Sequence, residues 1–146
     1  MTDLVLIVEI AGERAAFRAG DVQSVVELES LTPVPRAPAY VAGVSALRSR
    51  PLTVIDAAAA LGLEPGKAGL GGRKAVIAEF DRFLYALLVD GIEDAVPATS
   101  ELLPLPGKLS AQWQRVALGL AETAAGAVLV IDARMLLAGP EARSAA

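Results

Sequence analysis

Apolar positions along this chain fall in short β-branched runs and do not follow long helical periods. Leu4-Val5-Leu6-Ile7-Val8-Glu9-Ile10 has the composition of a strand, and Ala11-Gly12-Glu13 behind it is a hairpin turn signal with residues 15–17 as the return strand. Residues 21–28 form a further extended segment. Pro33, Pro35 and Pro38 exclude a central strand or a helix interior from the stretch that follows. Pro38 can start a helical turn through Tyr40 and Val41, with Gly43 placed to end it. Residues 52–55 read as a short strand, Asp56 as the cap of a helix over 57–61, and Gly62 as its stop. A Gly-rich polar loop at 64–72 leads to strands at 75–80 and 83–89 around an Asp81-Arg82 turn. Then come a Pro-rich piece at 103–107, a short helix at 110–115, and strands at 116–120 and 127–131. Asp132 caps a last turn over 133–137, which Gly139-Pro140 stops. Many short strands between Gly and Pro turns predict a small barrel or sandwich.

The pattern occurs twice. Val54-Ile55-Asp56-Ala57 recurs as Val130-Ile131-Asp132-Ala133, 76 positions on, and Gly43 precedes the first copy as Gly119 precedes the second. Leu31-Thr32-Pro33-Val34-Pro35 has a counterpart in Leu102-Leu103-Pro104-Leu105-Pro106. Val8-Glu9-Ile10 matches Ala78-Glu79-Phe80, and Val22 matches Ile92, both 70 positions on. Collinear matches at nearly constant offset are the mark of an internal repeat, here two similar lobes, although generic strand-turn-helix grammar used twice would give a weaker version of it.

Composition narrows the functions open to such a fold. The chain has 146 residues, one domain by length, and 54% of them are apolar with only 4% aromatic, so the core is aliphatic. Thirteen basic and seventeen acidic residues leave a net charge of −4 with no basic tract, the opposite of a nucleic-acid or anionic-membrane footprint. No histidine or cysteine is present, which removes the commonest general base, the usual zinc ligands and any thiol nucleophile. The most apolar stretch, 116–131, is broken by Glu122 and Thr123 and falls short of a membrane span. Asp3 without a basic n-region does not read as a signal peptide, so the expected setting is cytoplasmic.

The residues from Leu31 to Leu61 resemble the most recognisable stretch of the CheW-like coupling proteins of bacterial chemotaxis. That family has a proline bend, Ala-Pro and an aromatic, Gly-Val, an Asn-Leu-Arg-Gly turn and a strand ending in Val-Ile-Asp-Leu. Here stand Pro33, Pro35, Ala37-Pro38, Tyr40, Gly43-Val44, Leu47-Arg48 and Val54-Ile55-Asp56, and later Val89-Asp90-Gly91-Ile92 resembles the family's Val-Asp-Gly-Val. Two departures stand out: the turn reads Ala46-Leu47-Arg48-Ser49, and Ser24 holds a place that is often acidic. Glycine at the last turn position serves φ > 0, which serine tolerates poorly.

The resemblance implies two pseudo-symmetric five-stranded SH3-like barrels with short helices, packed around a shared aliphatic core. Residues 1–140 would be one domain of two lobes, changing over near 64–72 and able to exchange strands between them, with 141–146 a flexible tail. It implies an adaptor joining the regulatory domain of a CheA-type histidine kinase to the cytoplasmic tip of chemoreceptors. Val22 and Ile92 would line a groove for the receptor, with Ser24 and Val25 beside it; Arg48, with Gly43 nearby, would lie in the region affecting kinase and receptor binding. Another signalling array that reuses the fold remains an alternative.

Each candidate has a plainer reading. Val22, Val25 and Ile92 could be ordinary core; alternatively, as apolar positions on a groove, they could receive an amphipathic helix. Arg36, Arg48 and Arg50 lie in a stretch from Ser30 to Ile55 with no acidic residue, and each could be a partner-facing cation or a solvated arginine. Asp56 and Asp132 have the context of helix caps, Asp90 that of a turn. A small enzyme using carboxylates and Mg²⁺ would need acids at metal-ligand spacing, which the sequence does not offer. Gly69-Leu70-Gly71-Gly72-Arg73-Lys74 lacks the spacing of a phosphate-binding loop and precedes a strand, so it reads as an inter-lobe loop. Trp113 reads as a cover over a core edge. No catalytic, metal-binding or cofactor-binding residue is assigned.

Overall fold

The computed structural model describes residues 4–28, 30–63, 73–99 and 101–139. Ten strands run in chain order: β1 (Leu4–Ile10), β2 (Glu13–Arg18), β3 (Ser24–Leu28), β4 (Val41–Leu47), β5 (Arg50–Asp56), β6 (Arg73–Phe80), β7 (Phe83–Leu88), β8 (Gly91–Pro97), β9 (Ala117–Thr123) and β10 (Gly126–Ile131). Three short helices accompany them, α1 (Ala57–Ala60), α2 (Ala111–Val116) and α3 (Ala133–Leu137), with a 3₁₀ turn at Ala19–Asp21. The first sheet has the order β8-β1-β2-β10-β9 and the second β3-β6-β7-β5-β4. The mostly-β class with short helices is therefore as expected.

Each strand of the second sheet has its counterpart, five strands away in the chain, in the first. Each sheet takes the first two strands of one sequence repeat and the last three of the other. Two pairings in each sheet join strands of different repeats: the parallel β2–β10 and β5–β7, and the antiparallel β1–β8 and β3–β6. The chain passes from one sheet to the other between β2 and β3 and again between β7 and β8. The expected change-over at 64–72, with the glycines of the expected inter-lobe loop, and the tail at 141–146 lie outside the described residues.

Alternation along the strands divides the interior into three parts. On β1, Val5 and Ile7 face a cluster inside the first sheet with Ala16, Ala121, Val128 and Val130. Leu6, Val8 and Ile10 face the opposite way into a central cluster between the sheets. In the second sheet Leu52, Val54, Ile77 and Leu84 line that sheet's own interior, while Ile55, Val76 and Leu87 join the central cluster. Period-2 side chains buried on both faces explain why these runs are continuously apolar. Alanine has little intrinsic preference for strands, yet Ala15, Ala16, Ala75, Ala78, Ala86 and Ala121 are fully buried there. Tertiary packing decides their conformation.

The edges of each sheet are joined by the chain that leaves them. Beyond β3, Thr32 exchanges two hydrogen bonds of 2.9 Å with Val44 on β4; beyond β8, Leu103 and Leu120 on β9 do the same at 2.7 and 2.9 Å. This close crossing accounts for both repeat glycines. A Cβ on Gly43 would fall against the Thr32 carbonyl oxygen, and one on Gly119 would stand 2.8 Å from that of Leu103. Gly43 therefore does not end a helical turn, as its place after Pro38 suggests. It lies inside β4, where the pairing with β5 slips between Val41 and Gly43, as β9 slips at Gly119.

Two-residue hairpin loops close β1–β2, β4–β5 and β6–β7, each with both residues at positive φ: Ala11 and Gly12, Arg48 and Ser49, Asp81 and Arg82. That conformation matches the twist of the flanking strands. Glycine occupies only one of the six places, so Ser49 carries the strain expected from its sequence position. Residues 91–97, given no strand bounds from sequence and implied only as the repeat's counterpart of 21–28, form β8; Glu93 and Asp94 mask its alternation. Residues 19–21, adjoining the predicted extended segment, turn as a 3₁₀ helix before β3 begins.

Candidate protein-binding surfaces

The strand segments that open β3 and β8 have the same burial position by position: residues 21–28 and 91–98 share one pattern of half-buried, exposed and buried side chains. Val22 and Ile92 sit at matching places in it, both half-buried and both packed on the central cluster. They are thus part core and part surface, which combines the two readings open from sequence. Ser24 and Val25 lie at the start of β3 and are exposed, Val25 to 44%. Ser24 pairs across the ladder with Ile77, and Val25 with Val76. The position matching Ser24 in the other half is Asp94, also exposed.

Arg48 stands exposed at the tip of the β4–β5 hairpin, whereas Gly43, the third residue of β4, is buried. Arg36 is exposed in the proline segment at φ 66°. Arg50 reaches Glu79 at 3.9 Å, and Glu79 accepts a 2.9 Å hydrogen bond from Gln23. This polar chain runs from the base of the Arg48 hairpin across β6 to the residue after Val22. It puts the hairpin base and the Val22 segment at one end of the second sheet. Ile92 belongs to the edge of the first sheet and is not in that chain.

Two arginines overlooked in the sequence reading tie the lobes together. Arg73 was visible only as part of a Gly-rich run, but its guanidinium pairs with Asp56 at 3.3 Å and Asp90 at 3.7 Å, with 14% and 8% of the Arg73 and Asp56 side chains exposed. Asp90 also accepts the Ala11 N–H at 2.7 Å, so one cation links the end of β5, the entry to β8 and the β1–β2 turn. Arg115 on α2 donates to the carbonyls of Ala60, at the end of α1, and Met135 in α3. Burial pulls its pKa below the ordinary guanidinium value. Helix C-terminal carbonyls carry partial negative charge and suit a cation there. A signal for Arg73 existed, since a cation opening an apolar strand needs a partner; Arg115 gave none.

Asp56 and Asp132 are helix caps, as read from sequence: Asp56 accepts the Ala59 N–H at 3.1 Å and Asp132 the Arg134 N–H at 2.9 Å. Trp113 is 8% exposed and joins the central cluster. Among the described residues no three His, Cys, Asp or Glu side chains come together as a metal site, and no helix is long and apolar enough to cross a membrane.

The repeat thus sets two similar sheets on a single shared core. Residues 4–141 match the model of the CheW-like domain, and the chain belongs to that family. The chain is 34% identical over 133 residues to a probable chemotaxis protein CheW of Rhizobium etli, covering 85% of this chain and 81% of that one. It is 29% identical over 134 residues to the chemotaxis protein CheW of Rhizobium meliloti, with the same coverage. The crystal structure of the scaffolding protein CheW from Thermoanaerobacter tengcongensis superposes with a TM-score of 0.76 at 24% identity, over 90% of each chain, and so shares the fold. The chain is a CheW-type adaptor of chemotaxis.

Proposed function

We propose that this chain works without catalysis, in the cytoplasm, by coupling a CheA-type histidine kinase to chemoreceptors. The observation that carries the reading is the matched placement of Val22 and Ile92. Both are half-buried apolar residues where the chain crosses between sheets, set on one shared core in a member of the CheW-like family. The receptor's helical tip would lie against these positions, with Ser24 and Val25 alongside. The kinase's regulatory domain would dock at the β4–β5 hairpin through Arg48, whose planar guanidinium presents several donors to a carboxylate or to helix-end carbonyls. Gly43 contributes there by letting the proline segment cross β4 closely. The lack of His and Cys supports a role in binding alone. Holding both partners at once raises the local concentration of kinase at receptor, an effect of avidity.

Calorimetric titration with a kinase regulatory domain and with a receptor cytoplasmic fragment tests this. Arg48→Asp should weaken kinase binding by about tenfold or more, as loss of an interfacial arginine does. Unchanged affinity would remove Arg48 from the interface. Failure of the wild-type chain to bind either partner would remove the coupling role itself.

A further inference from the structure

After β7 the chain leaves one sheet for the other between two consecutive residues. The Val89 N–H donates to the Lys74 carbonyl at 3.1 Å in the second sheet, and the Asp90 N–H donates to the Glu9 carbonyl at 2.8 Å in the first. Arg73, next to Lys74 on β6, sets its guanidinium where the sheets part, with only 14% of the side chain exposed. It meets Asp56 Oδ2 at 3.3 Å on the second-sheet side and Asp90 Oδ1 at 3.7 Å on the first-sheet side. The other oxygen of each carboxylate holds backbone: Asp56 Oδ1 takes the Ala59 N–H, and Asp90 Oδ2 takes the Ala11 N–H at 2.7 Å. One cation thus latches both sheets at the crossing.

The latch stands at the end of a strand whose register is interrupted. Pairing of β8 with β1 slips between Leu6 and Val8, so Glu9–Gly91 and Val8–Ile92 form a short register of their own. The rest of β8 runs in the other register, from Leu6–Ala95 to Leu4–Pro97. A slip of this kind bends a strand and re-aims the side chains beside it, so the short register needs a fixed point at its far end. Asp90 supplies that point. Buried ion pairs add little net stability over apolar residues, and their best-attested use is to fix register. The other crossing has only an exposed arginine, Arg18, which reaches Asp21 at 2.9 Å and Asp132 at 4.0 Å with 47% of its side chain in solvent. Pairs so exposed hold little.

We propose that Arg73 is a positioning residue: through Asp90 it pins the short register beyond the slip, and so fixes where Ile92 presents its apolar side chain to the chemoreceptor. The proposal rests on the receptor-coupling role above. Arg73 itself touches no partner, because its guanidinium is turned inward onto two carboxylates. Arginine serves here where lysine would not, since its planar fork reaches two carboxylates at once and an ammonium is a single point charge. Asp90 is the more open of the two acids, its side chain 35% exposed against 8% for Asp56, so the latch lets go on the β8 side first.

The test is residue-resolved hydrogen exchange on the full chain, read beside titration with a kinase regulatory domain and with a receptor cytoplasmic-tip fragment. Arg73→Lys keeps the charge and leaves Asp90 in place, so a change at the Ala11 amide reports the lost link and not a poorer acceptor. The Ala11 and Asp90 amides should exchange about tenfold faster, as loss of a charge-assisted hydrogen bond allows. Receptor affinity should fall by roughly threefold to tenfold while kinase affinity stays as in wild type. Asp90→Asn, which spares the Arg73–Asp56 pair, should give the same selective loss of receptor affinity. Unchanged exchange in Arg73→Lys would overturn the latch. Faster exchange with unchanged receptor affinity in both variants would overturn the positioning role. An equal fall in both affinities would make Arg73 a merely structural residue and overturn the proposal. A wild-type chain that binds the kinase domain but not the receptor fragment would overturn the receptor half of the coupling role and the positioning role with it, while the exchange rates still decide the latch.

Discussion

Asp56 and Asp132 end equivalent strands and cap equivalent helices, yet their surroundings differ. Asp56 is 6% exposed and shares its carboxylate between the cap and Arg73. Asp132 keeps a quarter of its side chain in solvent and has Arg18 only at 4.0 Å. The repeated motif sets the local turn and its hydrogen bond, while burial and the neighbouring sheet set what the residue is worth. The same holds for the two crossings: Asp90 ties the entry to β8 to the β1–β2 turn, and Gly20 at the matching place before β3 has no side chain to do so.

Urea unfolding can break or sharpen this comparison. Asp56→Ala removes a cap and leaves the Arg73 guanidinium with Asp90 alone at 3.7 Å, and should cost about 3–4 kcal/mol, the cap and a charge-assisted hydrogen bond together. Asp132→Ala removes only a cap and should cost about 1 kcal/mol. Equal losses would mean that the cap alone matters at both sites. Next in size are the repeat glycines. Gly43→Ala and Gly119→Ala each push a methyl group into a crossing carbonyl and should each cost roughly 2–4 kcal/mol by strain and lost pairing. Gly43→Ala should be the worse, because its Cβ meets the opposing oxygen more closely. If Gly43→Ala kept full stability but lost kinase binding, the glycine would be an interface residue in its own right. The smallest effect has the opposite sign: Ser49→Gly relieves a left-handed serine and should stabilise by about 0.5–1 kcal/mol, read as a rise in melting temperature.

Much of the architecture was legible because the chain states it twice. The Val-Ile-Asp-Ala copies mark strand, cap and short helix in both halves, and the runs in β1, β6 and β7 needed only composition. Three things were hidden. β8 was masked because an edge strand with one face in solvent carries Glu93 and Asp94 without penalty. Gly43 was misplaced because sequence shows a glycine after a proline turn, while the carbonyl that forbids a side chain comes from Thr32, eleven residues earlier. Arg73 and Arg115 were missed because their partners lie on other elements. The surface residues fared differently: Val22 and Ile92 were legible as a pair through the repeat, but the 3₁₀ turn that delays β3 to Ser24 was not.

The division of strands between the sheets has a further meaning. Residues 4–56 contain two strands of one sheet and three of the other, and residues 73–131 contain the complement. Neither copy completes a five-stranded sheet with its own five strands. The chain has the form of a homodimer that traded its N-terminal hairpins and was then joined end to end. Fusion makes the two sites of a symmetric pair free to diverge, because each is now encoded separately. Gly20 and Asp90 show that divergence already written into one polypeptide.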